Sequence, residues 1–133
     1  MQTSGDYDIT HSLAVVGTYD LTQSINIGFT YRISTGKPYT PVNGSFYDST
    51  FNVYAPFYAI KNSDRLPTYH RLDVNLQYIF SLFGRFAFAL ISVSNVLNND
   101  NLYGYTYNFN YSQKLSIRST NMRMLYLALG MQI

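Results

Sequence analysis

Apolar and polar residues alternate with a period of two along most of this chain. The longest run lies between a polar turn at Asn62-Ser63-Asp64 and a tight turn at Ser81-Leu82-Phe83-Gly84-Arg85. Within it Leu72, Val74, Leu76, Tyr78 and Phe80 share one parity. Arg71, Asp73, Asn75 and Gln77 share the other, with Ile79 as the exception. Such alternation predicts a β-strand over residues 65–80 with one apolar and one polar side. Its regular part is about as long as the 9–11 residues with which a tilted strand crosses a bilayer.

Other segments follow the same rule. In residues 11–21, Leu13, Val15, Gly17, Tyr19 and Leu21 oppose Ser12, Ala14, Thr18 and Asp20, with Val16 out of step. In residues 25–34, Ile25, Ile27, Phe29, Tyr31 and Ile33 oppose Asn26, Gly28, Thr30, Arg32 and Ser34. A slip of one residue there would turn Arg32 to the apolar side, which near the middle of a bilayer costs about 2–4 kcal/mol. In residues 123–133, Leu125, Leu127, Leu129, Met131 and Ile133 oppose Tyr126, Ala128, Gly130 and Gln132. Residues 86–96 are less clear. Phe86, Phe88 and Leu90 oppose Ala87, Ala89, Ile91 and Val93, so either parity could be the apolar one, and the pattern allows a bulge near Ser92-Val93-Ser94.

The expected connections alternate in length. A short turn follows at Leu21-Thr22-Gln23. Residues 35–64 hold Pro38, Pro41 and Pro56 and show no clear period, which predicts a long irregular loop. A five-residue turn at 81–85 comes next. Asn98-Asn99-Asp100-Asn101 then opens a second long connection over about 99–121. There Tyr103, Tyr105, Tyr107 and Phe109 alternate, as if the preceding strand continued out of the membrane as a hairpin. Short turns on one side and long loops on the other characterise outer-membrane barrels. The expected fold is all-β: an antiparallel up-and-down meander of about five long strands.

Composition agrees. Aromatic residues make up 17%, with 14 Tyr and 9 Phe, and charged residues only 12%, about half the usual share. Mean hydropathy is −0.09, as expected when apolar and polar positions alternate. A net charge of +2 without a basic cluster argues against nucleic acid as a partner. The absence of cysteine rules out disulfides and thiolate metal sites. No apolar run approaches the ~18 residues of a membrane helix, and residues 1–6 do not read as a signal peptide. The expectation is therefore a piece of a larger barrel. A five-stranded spanning sheet has two open edges, which lipid does not tolerate, so the chain alone should aggregate.

Four short runs carry a family resemblance: Asp8-Ile9-Thr10-His11, Gly36-Lys37-Pro38-Tyr39-Thr40-Pro41, Arg65-Leu66-Pro67-Thr68-Tyr69-His70-Arg71-Leu72-Asp73, and Ser94-Asn95-Val96-Leu97-Asn98. In this order the chain resembles, over nearly its whole length, the C-terminal end of TonB-dependent outer-membrane receptors. The likeness is to those of Bacteroidota, including the glycan-importing type. It implies that residues 1–133 are the C-terminal part of a transmembrane β-barrel in the outer membrane of a Gram-negative bacterium, with extracellular loops at about 35–64 and 99–121. It implies uptake of a glycan, iron chelate, vitamin or peptide. The implied partners are outer-membrane lipid, the remainder of the barrel and its plug, TonB through that plug, and the barrel-insertion machinery through the last strand. The plug is absent from this sequence, and the chain ends in Ile133 where the family usually has an aromatic residue.

Candidate chemistry is sparse. Tyr39, Tyr47, Phe51, Tyr54, Phe57 and Tyr58 in the first long loop could stack on a sugar or an aromatic chelate, or simply pack the loop. Arg32, Arg71, Asp73, Asn75 and Gln77 are expected to face the barrel lumen. Tyr19, Tyr31, Tyr69 and Tyr78 suit an interfacial girdle. His11 and His70 lack a ligand pattern for metal, and each could instead hydrogen-bond a loop at a strand mouth. Asp73 reads as an ion-pair partner of Arg71 or of a basic residue on the next strand. No paired carboxylates or nucleophile motif point to catalysis, and no cofactor is expected. The competing reading is a soluble or surface β-sheet interaction or adhesin module whose apolar faces pack on each other.

Overall fold

The computed structural model describes residues 5–119 and 122–132; Ile133, with the barrel-insertion reading of the chain's end, lies outside them. Strands are the only regular elements among the described residues. In order they are β1 (Ser12–Asp20), β2 (Ile25–Ser34), β3 (Pro38–Tyr39), β4 (Val42–Asp48), β5 (Val53–Tyr58), β6 (Asp64–Arg65), β7 (Tyr69–Leu82), β8 (Arg85–Ser94), β9 (Leu102–Tyr107), β10 (Lys114–Arg118) and β11 (Met124–Met131). The chain divides into two compact units.

The first unit is a five-stranded sheet in the order β1-β2-β7-β8-β11, an antiparallel meander built from the five predicted strands. β1 and β11 form its two outer edges. β7 and β8 pair from Val74↔Val93 to Leu82↔Arg85, and β8 and β11 from Met124↔Ser94 to Met131↔Ala87, both without interruption. The bulge allowed near Ser92-Val93-Ser94 is therefore absent. The strand instead ends at Ser94, and Asn95, at a φ of 50°, turns the chain. The five-residue turn is also corrected. Pairing continues to Leu82↔Arg85, leaving two turn residues, Phe83 and Gly84, at φ 52° and 71°. Positive φ at both central residues is the signature of a type I′ hairpin, whose twist matches that of the strands.

Register settles which parity of β8 joins the apolar side. Val74, Val93 and Leu125 form one row across three strands, followed by Leu76-Ile91-Leu127, Tyr78-Ala89-Leu129 and Phe80-Ala87-Met131. Ala87, Ala89, Ile91 and Val93 thus share the apolar face, and Phe86, Phe88 and Leu90 lie on the other. That second face is mixed. Gln77 pairs with Leu90, and Ile79 with Phe88, toward the tight turn, while Asn75 pairs with Ser92 nearer the far end. Each edge strand holds a glycine beneath a neighbour's ring. Phe29 lies where a Cβ on Gly17 would sit, and Phe88 where one on Gly130 would. An aromatic ring laid over a cross-strand glycine restores the contact that the missing side chain cannot make.

The outer strand leaves its share of the apolar face open. Leu125, Leu127 and Leu129 are 63%, 70% and 83% exposed. Leu66, Ala87 and Pro38 are the only buried apolar side chains among the described residues. The chain exposes 9789 Å², where a folded monomer of 15.3 kDa exposes about 7,100 Å².

The second unit is assembled from the long connections, and the first of these is not irregular. β4 and β5 form an antiparallel hairpin from Tyr58↔Val42 to Val53↔Asp48, and β3 pairs with β6. The period was hidden by a register shift between Val42 and Gly44, by Pro56 within β5, and by aromatic residues on both faces. At the tip Asp48 Oδ1 accepts the Thr50 N–H at 2.9 Å, and Asn52 takes φ 57°. β9 and β10 form the expected hairpin. It does not continue β8, however: residues 95–101 intervene, and the hairpin is a separate two-stranded sheet.

Candidate functional site

In the sheet unit, Asp73 gathers the charged groups. Its Oδ1 accepts the Arg71 Nε–H at 2.6 Å and the Asn95 N–H at 2.9 Å. Arg32, one strand away on β2, lies 3.8 Å from Oδ2. Asn95 is 1% exposed. Its Oδ1 accepts the Asn99 N–H at 3.1 Å, and its Nδ2 donates to the Asn99 carbonyl at 3.1 Å. Asn99 Nδ2 also meets His70 Nδ1 at 2.8 Å. The Arg71-Leu72-Asp73 and Ser94-Asn95-Val96 runs are thus two halves of one corner. The strand enters β7 on one side, leaves β8 on the other, and the carboxylate caps the turn. On the same face Asn75 covers Gly28, whose Cβ would lie 2.7 Å from Asn75 Oδ1.

In the loop unit, Gly36 and Arg65 set the frame. A Cβ on Gly36 would lie 1.6 Å from the Leu66 carbonyl oxygen, so only glycine lets these two segments meet. Arg65 donates from Nη1 to the Asp8 carbonyl at 3.0 Å and the Gly36 carbonyl at 3.2 Å, and from Nη2 to the Asp8 carboxylate at 2.8 Å. Beside this frame Lys114 Nζ donates to Tyr39 Oη at 2.8 Å, and the Tyr39 hydroxyl donates to Asp64 Oδ2 at 2.7 Å. The ammonium also sits 3.6 Å from the centre of the Tyr105 ring, a cation–π contact. The Tyr39 hydroxyl and the Arg65 N–H hold the Asp64 carboxyl below its ordinary value. Burial pushes the Tyr39 phenol up. The bond to Tyr39 pushes the Lys114 ammonium up.

Next to this relay lies a cleft of about 430 Å³. Tyr58 from β5 and Tyr105, Tyr107, Phe109 and Tyr111 from the second connection supply its rings. Thr40, Thr106 and Asn108 supply polar groups, and Val42 completes the lining. Among the described residues, no charged side chain lines it. Tyr107 Oη accepts the Val42 N–H at 3.3 Å, and Thr40 Oγ1 accepts the Asn62 N–H at 2.9 Å. The turn carrying Tyr111, at φ 59°, is tied down: Asn108 Oδ1 accepts the Gln113 N–H at 3.1 Å, and Asn108 Nδ2 donates to Ser112 Oγ at 3.0 Å.

Of the six loop aromatics singled out from the sequence, only Tyr58 lines this cleft. Tyr39 stands behind it, 5.0 Å from the Tyr105 ring. Tyr47 and Tyr54 face each other across the β4–β5 hairpin at 5.2 Å, and Phe57 packs on Phe46 at 5.0 Å. Phe51 is exposed at the tip. The missed residues, Tyr105, Tyr107, Phe109 and Tyr111, belong to a run of alternating aromatics legible in the sequence. Their period encodes strand structure, and nothing local shows that the hairpin folds against β5. Among the described residues, no three of His, Cys, Asp and Glu gather as a metal site would require. Comparison with family models, curated proteins and solved structures finds no match for the chain.

Proposed function

We propose that the chain forms part of the wall and outer loops of a transmembrane β-barrel in a bacterial outer membrane, of the TonB-dependent nutrient-receptor kind. One observation carries this reading: one face of the five-stranded meander, exposed along β11, is apolar in every paired row from Val74-Val93-Leu125 to Phe80-Ala87-Met131. In water a contiguous exposed apolar surface is a liability that monomers keep small, whereas lipid demands it. Alternating short and long connections support the same reading. The receptor kind rests on the sequence runs around Arg71-Leu72-Asp73 and Ser94-Asn95, which meet in one corner. The face bearing Arg32, Arg71, Asp73, Asn75 and Gln77 would then look into the lumen, toward a plug. The unpaired edges of β1 and β11 would join further wall strands. Transport would need those segments and TonB, and no catalytic role is proposed.

The test is fractionation of the source cell with an antibody to the chain. Recovery in the outer membrane, with gel mobility that shifts on heating, is the expected result. Recovery as a soluble monomer would replace this reading with that of an interaction module.

A further inference from the structure

We propose that the aromatic cleft of the loop unit binds an uncharged, hydroxylated ring, meaning one or two sugar residues. The lining decides the class. Tyr58, Tyr107, Phe109 and Tyr111 offer ring faces on which the C–H face of a pyranose can lie. Between the rings stand hydroxyl donors. Tyr107 Oη and Thr40 Oγ1 each accept a backbone N–H, which leaves each O–H proton to donate to a ligand oxygen.

Charge argues against the other ligand that stacked aromatics suggest, an anionic iron chelate. Such a ligand needs cations at the lining, and among the described residues there are none. The nearby ammonium, Lys114, is engaged by the Tyr39 oxygen and the Tyr105 ring. The cleft, at about 430 Å³, lies near the small end of the roughly 300–1,000 Å³ range of ligand pockets. It is also preorganised: the Asn108–Gln113 turn is held by its own hydrogen bonds, so little ordering remains to oppose binding.

This goes beyond the membrane reading and does not depend on it, because every group involved belongs to the loop unit. The test uses the full chain in detergent micelles, labelled and applied to an array of neutral and acidic oligosaccharides, with a ferric tris-catecholate measured separately. Retention on at least one neutral oligosaccharide is expected, with no ferric catecholate binding. Tyr107→Ala and Tyr58→Ala should each weaken binding about tenfold, the range of one lost stacking and hydrogen-bonding contact. Phe46→Ala, whose ring packs on Phe57 away from the cleft, should leave it unchanged. Tyr107→Phe keeps the ring and should give an intermediate loss even if the alanine variant fails to fold. Absence of retention on any neutral sugar, preference for the ferric catecholate, or an equal loss in Phe46→Ala would each overturn the proposal. Outer-membrane recovery should be the same in all four variants, so failure here and failure of the barrel reading are distinguishable.

Discussion

Gly36 and Asp64 show how much single residues carry in the loop unit. A methyl group at Gly36 would overlap the Leu66 carbonyl oxygen, which is backbone and cannot swing aside. Gly36→Ala should therefore part the β3–β6 pair, at a cost on the order of 2–4 kcal/mol. Hydrogen exchange should accelerate at the Leu66 amide, which donates to Lys37. Asp64 predicts a pH response. Its folded value is lowered by the Tyr39 hydroxyl and the Arg65 N–H. Its contact therefore contributes stability above the ordinary carboxylate range, about pH 4, and loses it as pH falls through the folded value. Amide protection in β3 and β6, relative to the intrinsic exchange rate at each pH, should fall below about pH 4. Asp64→Asn should reduce that acid dependence without removing it, because Asp6, bonded to Asn62 and Lys61, is also lowered. Lys114 responds at the opposite end: its raised value means that its contact is lost only as pH rises past the ordinary lysine range.

At the level of elements, the β7–β8 turn is the least comfortable point of the sheet. Phe83 adopts a φ of 52°, which a bulky side chain takes up reluctantly. Asn-Gly is the preferred pair for a type I′ turn. Phe83→Asn should thus stabilise the hairpin by about 0.5–1 kcal/mol, and Gly84→Ala, at φ 71°, should destabilise it by about 1 kcal/mol. Urea midpoints of the complete barrel carrying these changes, in lipid vesicles, would measure both. The β8–β11 hairpin differs in kind. Its long connection begins at Asn95, held by side-chain bonds to Asn99 and by the carboxylate of Asp73. Asn95→Ala removes those side-chain bonds and puts a Cβ residue without polar compensation at positive φ, for an expected loss of about 2 kcal/mol.

For the whole molecule, the apolar face is the property on which the membrane reading stands or falls, and Leu127 tests it. It lies in the row Leu76-Ile91-Leu127 and is 70% exposed. If that face meets lipid, Leu127→Arg should cost about 2–4 kcal/mol near the bilayer middle. If it meets water, the same change should stay within about 0.5 kcal/mol. Gln77→Arg, on the opposite face, is the control and should be nearly neutral in either case. Equal unfolding midpoints for both variants of the complete barrel in vesicles would count against lipid contact at this face.

Alternation alone was enough to determine the all-β class, the five long strands, their order as a meander and the sides of β1, β2, β7 and β11, because a period of two is imposed by the backbone of any strand. Local chemistry also marked the turns at Gly84 and Asn98. Tertiary structure decided the rest. Both parities of β8 are apolar, so only pairing with β7 and β11 could choose between them. Tyr105, Tyr107, Phe109 and Tyr111 acquire a common cleft with Tyr58 only because two hairpins nearly fifty residues apart in the chain fold against each other, and no local pattern encodes a contact at that separation. Asp73 and Asn95 likewise form one corner only once β7 and β8 lie side by side.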